Sequence, residues 1–121
     1  MSLNNFKLIP ETVFGTASEN YDGVSDSFVG IPQKAAGYYR GRKSTQTVIA
    51  TFSGFTGQVL IQGTLEDYPE TDNWVDLRTF GETDSVPVDN TSTTIAGNFV
   101  WIRASVIGFT GGTINSINLV Y

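Results

Sequence analysis

The chain has 121 residues, no histidine and no cysteine, and twelve acidic against seven basic side chains for a net charge of −5. Its length suits one domain built around one core. The missing residue types exclude Ser-His-Asp and Cys-His catalysis, ordinary zinc sites, disulfides and iron–sulfur ligation, so no cofactor is expected. The acidic balance gives the molecule no general attraction to nucleic acid or to an anionic bilayer.

Residues 1–45 carry short apolar pieces, Phe6-Lys7-Leu8-Ile9, Val13-Phe14, Val24 and Phe28-Val29-Gly30-Ile31, separated by Ser, Asn, Asp, Gly and Pro. Such an extended segment cannot build its own core. It is expected to wrap along a sandwich as edge strands or to reach as an arm to a neighbouring subunit. With Lys7 as its sole early base and an apolar run ended by Pro10, it lacks the pattern of a signal peptide. No stretch approaches the ~20 apolar residues of a membrane-spanning helix. Release by lysis or within a particle is the expected route out of a cell.

The run Tyr38-Tyr39-Arg40-Gly41-Arg42-Lys43 interleaves bases with aromatics, a crude signature of a nucleic-acid contact. In a net-acidic chain that footprint is weak. Tyr38, Tyr39, Arg40 and Arg42 read better as a loop that docks on an acidic protein surface or keeps a sheet edge soluble.

Residues 46–121 read as the core of an antiparallel β-sandwich, jelly-roll-like in type. Threonine, valine, isoleucine, glycine and aromatics are plentiful there, and no segment sustains helical spacing. Strands are predicted over 46–53, 58–65, 74–80, 93–95, 98–107 and 113–121, and residues 33–39, the one helix candidate, are read as a turn or a single helical turn because Gly37 interrupts them. An internal echo, Ser53-Gly54-Phe55-Thr56-Gly57 and Ile107-Gly108-Phe109-Thr110-Gly111, predicts two hairpins, since glycine supplies the positive φ of tight connections.

The acidic connection 66–73 offers oxygen ligands, with Asp67, Glu70 and Asp72 as calcium candidates, although its spacing departs from an EF-hand loop. The same residues suit a solvated turn with Pro69 fixing φ. Two carboxylates would also suffice for glycoside hydrolysis, but nothing in the sequence sets one apart as an acid. Trp74 and Tyr68 are candidates for stacking on a sugar, whereas aromatics in β domains more often serve the core. Along 98–107, one parity is Val100, Ile102, Ala104 and Val106, a core face. The other presents Phe99, Trp101 and Arg103 outward, the pattern of a surface covered by a loop or another chain.

Residues 57–65 (GQVLIQGTL), the Pro69…Asp72-Asn73-Trp74 stretch and residues 97–104 (GNFVWIRA) together resemble, in that order, small virion proteins of contractile-tailed phages of marine bacteria, of the cyanophage type. In that group a strand reading like V-x-I-Q-G-T-L leads through a Pro-containing acidic turn to an aromatic, and a G-N-F-x-W-I-R-A strand follows. The resemblance covers about residues 46–107. It implies a structural component of a virion without saying where on the particle; with the outward aromatic face, the loosely organised N-terminal segment and the lack of reactive side chains, a non-enzymatic capsid decoration or accessory protein is the leading expectation. Its partners would be other virion proteins and further copies of itself, with no nucleic acid and no membrane. A carbohydrate-binding module at a tail or baseplate, contacting a surface glycan, is the alternative.

Overall fold

The computed structural model describes residues 5–18, 20–36, 45–66, 74–81, 90–97 and 99–121. Among them lie strands β1 (Asn5–Ile9), β2 (Thr12–Val13), β3 (Phe28–Val29), β4 (Gln33–Lys34), β5 (Thr45–Thr64), β6 (Val75–Phe80), β7 (Thr91–Ala96) and β8 (Trp101–Val120), and no helix. The fold is all-β and antiparallel throughout.

Two 20-residue strands organise everything else. β5 and β8 pair with each other from Thr47↔Val120 to Thr64↔Trp101, and both bend midway. On one side of the bend β1, the C-terminal half of β8, the N-terminal half of β5 and β7 form a layer in that order. On the other side β3 and β4, the N-terminal half of β8, the C-terminal half of β5 and β6 form the second. These are the two interleaved layers of a jelly-roll-like sandwich, joined here into one continuous sheet because the long strands turn the corner without breaking.

The two expected hairpins are therefore corrected: Gly54–Gly57 and Gly108–Gly111 are corners inside continuous strands. Each echo pairs with the other instead of folding back on itself, through Thr56↔Gly111 and a Thr56 Oγ1–Thr110 Oγ1 hydrogen bond of 2.9 Å. Register shifts between Ser53, Thr56 and Gln58 insert extra residues, so the buried parity of β5 changes from Val48, Ala50 and Phe52 to Phe55, Val59 and Ile61. That change lets one strand face the core from both layers. Gly54 (φ 65°), Gly108 (φ 64°) and Gly112 (φ 83°) supply the left-handed conformations that the corner requires.

Residues from the N-terminal segment complete the sandwich. β1 and β2 run along the C-terminal half of β8, and β3 and β4 along its other half. The crossing between layers is tied by Ile31 N–H to Leu8 O (2.9 Å) and Gly30 N–H to Ala104 O (2.7 Å). A Cβ at Gly30 would strike the Leu8 carbonyl and the Ile9 side chain, so only glycine fits that approach. The opposite side is linked by Arg78 Nε–H to Thr93 Oγ1 at 3.2 Å, between β6 and β7.

The core is one cluster in which Leu8, Ile9, Tyr21 and Ala35 join Val48, Val59, Ile61, Ile102, Val106, Ile114, Ile117 and Leu119. Each fully buried aliphatic side chain contributes ~1.5–3 kcal/mol. Aromatic rings plug the corner end: Phe55 stacks on Phe52 at 4.9 Å and meets Phe109 at 5.4 Å, and Tyr21 meets Phe109 at 5.2 Å. The Tyr21 hydroxyl accepts a bond from Gly15 N–H (2.9 Å), which satisfies its polar tip. At the far end Gln46 is buried among apolar neighbours. Its Oε1 accepts from Ala36 N–H (3.1 Å) and its Nε2 donates to Ile95 O (2.8 Å), pinning the exit of β4 to the end of β7.

Candidate functional site

Outward-facing positions of the second layer gather its polar and aromatic side chains. Gln62 of β5 stands opposite both Arg103 of β8 and Asp76 of β6, which places the three on one face. Arg103 Nε–H donates to Gln62 Oε1 at 2.7 Å, and Gln62 Nε2 donates to Asp76 Oδ1 at 2.8 Å. Over the same arginine lies the Trp74 ring, 4.3 Å from the guanidinium carbon to the centroid. Partial burial pushes the Arg103 pKa down, yet guanidinium stays protonated across any working pH. The result is a preset row, Asp76–Gln62–Arg103–Trp74, with its rotamers held by its own contacts.

Trp101 lies on the same outward parity as Arg103, opposite Lys34 of β4. Phe99 does not, which corrects the expectation that Phe99, Trp101 and Arg103 share one outward face. β8 begins at Trp101, and the chain bends at Val100, whose N–H bonds to Thr64 O (2.8 Å) while its carbonyl accepts from Ala35 N–H (2.9 Å). Phe99 instead turns in to pack beside the core, its ring lying where side chains at Gly63 and Gly97 would be. The two small residues make its seat.

Of the other sequence candidates, Trp74 belongs to this face, while Tyr38, Tyr39, Arg40, Arg42, Asp67, Tyr68, Glu70 and Asp72 lie outside the described residues. Among the described residues no three Asp or Glu side chains cluster as metal ligands would, and no helix is long and apolar enough to cross a membrane. Sequence reasoning missed Gln62 and Asp76. Their signal was available only through pairing, since a glutamine and an aspartate on different strands become neighbours once register is known.

A second feature lies where β5 ends and β6 begins. Leu65, Val75, Leu77 and Phe99, with Thr64 and Glu66, line an open cavity of about 280 Å³ floored by Gly63. Leu65 and Val75 are 69% and 61% exposed, unusual for large aliphatic side chains so close together.

No protein-family model matches the chain, and no curated protein matches it in sequence.

Proposed function

We propose that this chain is a non-enzymatic structural component of a tailed-phage virion, a capsid decoration or accessory protein that docks through the outward face of its second layer. The observation that carries the reading is the preset Trp74–Arg103–Gln62–Asp76 row. Tryptophan and arginine are the side chains most enriched among residues that dominate protein interfaces, and a row already ordered before contact loses little further entropy on docking. The resemblance of its ordered phrases to those of small phage virion proteins supports the same reading. So does the jelly-roll-like sandwich, an architecture used by capsid proteins and lectins alike.

Glycan binding is the competing function. It is less favoured because a sugar stacks on a free aromatic face, and Arg103 already covers one face of Trp74.

The test is incorporation into particles. Mass spectrometry of purified virions should find the chain. Purified protein should rebind particles stripped of it, and Trp74→Ala should weaken that rebinding at least tenfold with no change in fold. Absence from particles removes the reading, and saturable binding on a glycan array that is lost in Trp74→Ala replaces it with the competing one.

A further inference from the structure

In the outward face that carries the Trp74 row, β5 lies between β8 on one side and β6 on the other. Its outward positions there include Leu60 and Gln62, half-buried between the buried Val59, Ile61 and Gly63, and both are neutral. Register sets Ser105, Leu60 and Thr79 in one cross-strand row and Arg103, Gln62 and Asp76 in the next. A base on β8 and an acid on β6 thus flank Gln62, each on a strand about 4.8 Å from β5. Gln62 bridges them, accepting from Arg103 Nε–H (2.7 Å) and donating to Asp76 Oδ1 (2.8 Å). Among the described residues the Nη groups of Arg103 and Oδ2 of Asp76 carry no hydrogen bond, and the two side chains form no ion pair with each other.

We propose that a second copy of this chain occupies this face, related by a two-fold axis that lies in the interface and runs along β5 over Gln62. The inference rests on the reading of the row as a docking face and names its partner. Such an axis lays the β8 side of one copy over the β6 side of the other. Arg103 of each copy then meets Asp76 of its neighbour, and the fork of Nη donors fits a carboxylate. Gln62 faces Gln62, Leu60 faces Leu60, and Ser105 faces Thr79. An axis running across the strands would instead set Arg103 on Arg103 and Asp76 on Asp76, so the charges select one orientation.

The same charges select the partner. An acidic surface would satisfy Arg103 and repel Asp76, and a basic surface would do the reverse. A copy satisfies both ends at once. Facing sheets pack about 10 Å apart with their strands within about 30° of each other. At about 4.8 Å from the axis that angle displaces each charge by about 2 Å, within the reach of an arginine side chain. The contact uses one patch on both copies, so it closes at two.

Sedimentation velocity over a wide concentration range tests this on the full chain. Wild type should form a dimer that grows no further. Asp76→Lys and Arg103→Glu should each weaken dimerisation at least tenfold, because each sets like charges opposite one another at two places. Mixed in equal amounts, the two variants should recover a 1:1 heterodimer, since every facing pair is then of opposite sign. Position 62 reads the axis itself. Gln62→Glu alone and Gln62→Lys alone each put a charge against its own copy, and only their mixture should dimerise. Thermal melting checks the folding of every variant, and should one of the first pair fail to fold, the position-62 pair decides alone. Monomeric wild type, open-ended growth, or losses that mixing does not restore overturn the proposal. Particles that hold the chain while the free protein stays monomeric would keep the virion reading and remove this one. A restored heterodimer from a chain absent from particles would do the opposite.

Discussion

A Cβ atom on Gly112 would fall directly on the Gly54 carbonyl, because the two corners of the bent ribbon pack backbone to backbone. Gly112→Ala therefore meets two penalties, a left-handed φ of 83° and a backbone clash that no rotamer relieves. A loss of about 3 kcal/mol or more is expected. Gly54→Ala at φ 65° meets open space, so only the conformational term of about 1 kcal/mol applies. Urea denaturation of the two variants checks the ordering, and equal losses would contradict the corner geometry.

The same corners show where sequence reading stops. The alternation of Ile102, Ala104 and Val106 is local, and burial of all three follows it. All-β character and the antiparallel sandwich were likewise legible in composition and period. The Gly-Phe-Thr-Gly echoes were visible too, but a hairpin and a corner call for the same glycines. What distinguishes them is that Thr56 pairs with Gly111, a partner 55 residues away. Phe99 was misplaced for a related reason. Alternation was extended through Val100, where two backbone bonds to different strands bend the chain. The Gln62 row depends wholly on register, which no single window contains.

Gln46 closes the end of the core remote from the corner, and its amide is used at both atoms. Gln46→Leu would leave Ala36 N–H and Ile95 C=O buried and unpaired, a loss of about 3 kcal/mol. Gln46→Glu adds a pH dependence absent from wild type. Its carboxylate would face the Ile95 carbonyl in an apolar setting, raising the folded-state pKa above the unfolded value of about 4.3. The sign follows: the variant is most stable below about pH 4 and loses stability as pH rises through the raised value. Thermal melts from pH 3 to pH 8 check this, and a flat difference from wild type would show that Gln46 is not buried as described.

Asp22 gives the opposite sign. Backbone N–H bonds from Ser25 and Val24, with the Ser25 hydroxyl, hold its pKa below the ordinary carboxylate value. The turn's carboxylate contacts are thus complete above about pH 3.9 and are lost as pH falls through the lowered value. Because the carboxylate is fully exposed, the expected effect is local. The amide resonances of Val24 and Ser25 should shift together in an acid titration, and their hydrogen exchange should quicken in Asp22→Ala while global melting holds. Titration of these amides at an ordinary aspartate pKa would rule the turn out.

Arg103 is a sharper probe of the outward row than Trp74, because its two contacts use different properties of guanidinium. Planarity serves the stack on Trp74 at 4.3 Å, and the Nε–H serves Gln62 at 2.7 Å. Arg103→Lys keeps the charge and gives up both the plane and that donor. Stability should fall by only about 1 kcal/mol, since cation–π and exposed polar contacts are each worth about that or less. Trp74 fluorescence should nonetheless change as its cover is lost. If the row is the docking face, Arg103→Lys should weaken rebinding to stripped particles nearly as much as Trp74→Ala. Rebinding that survives Arg103→Lys and Trp74→Ala would shift the docking face elsewhere on the sandwich.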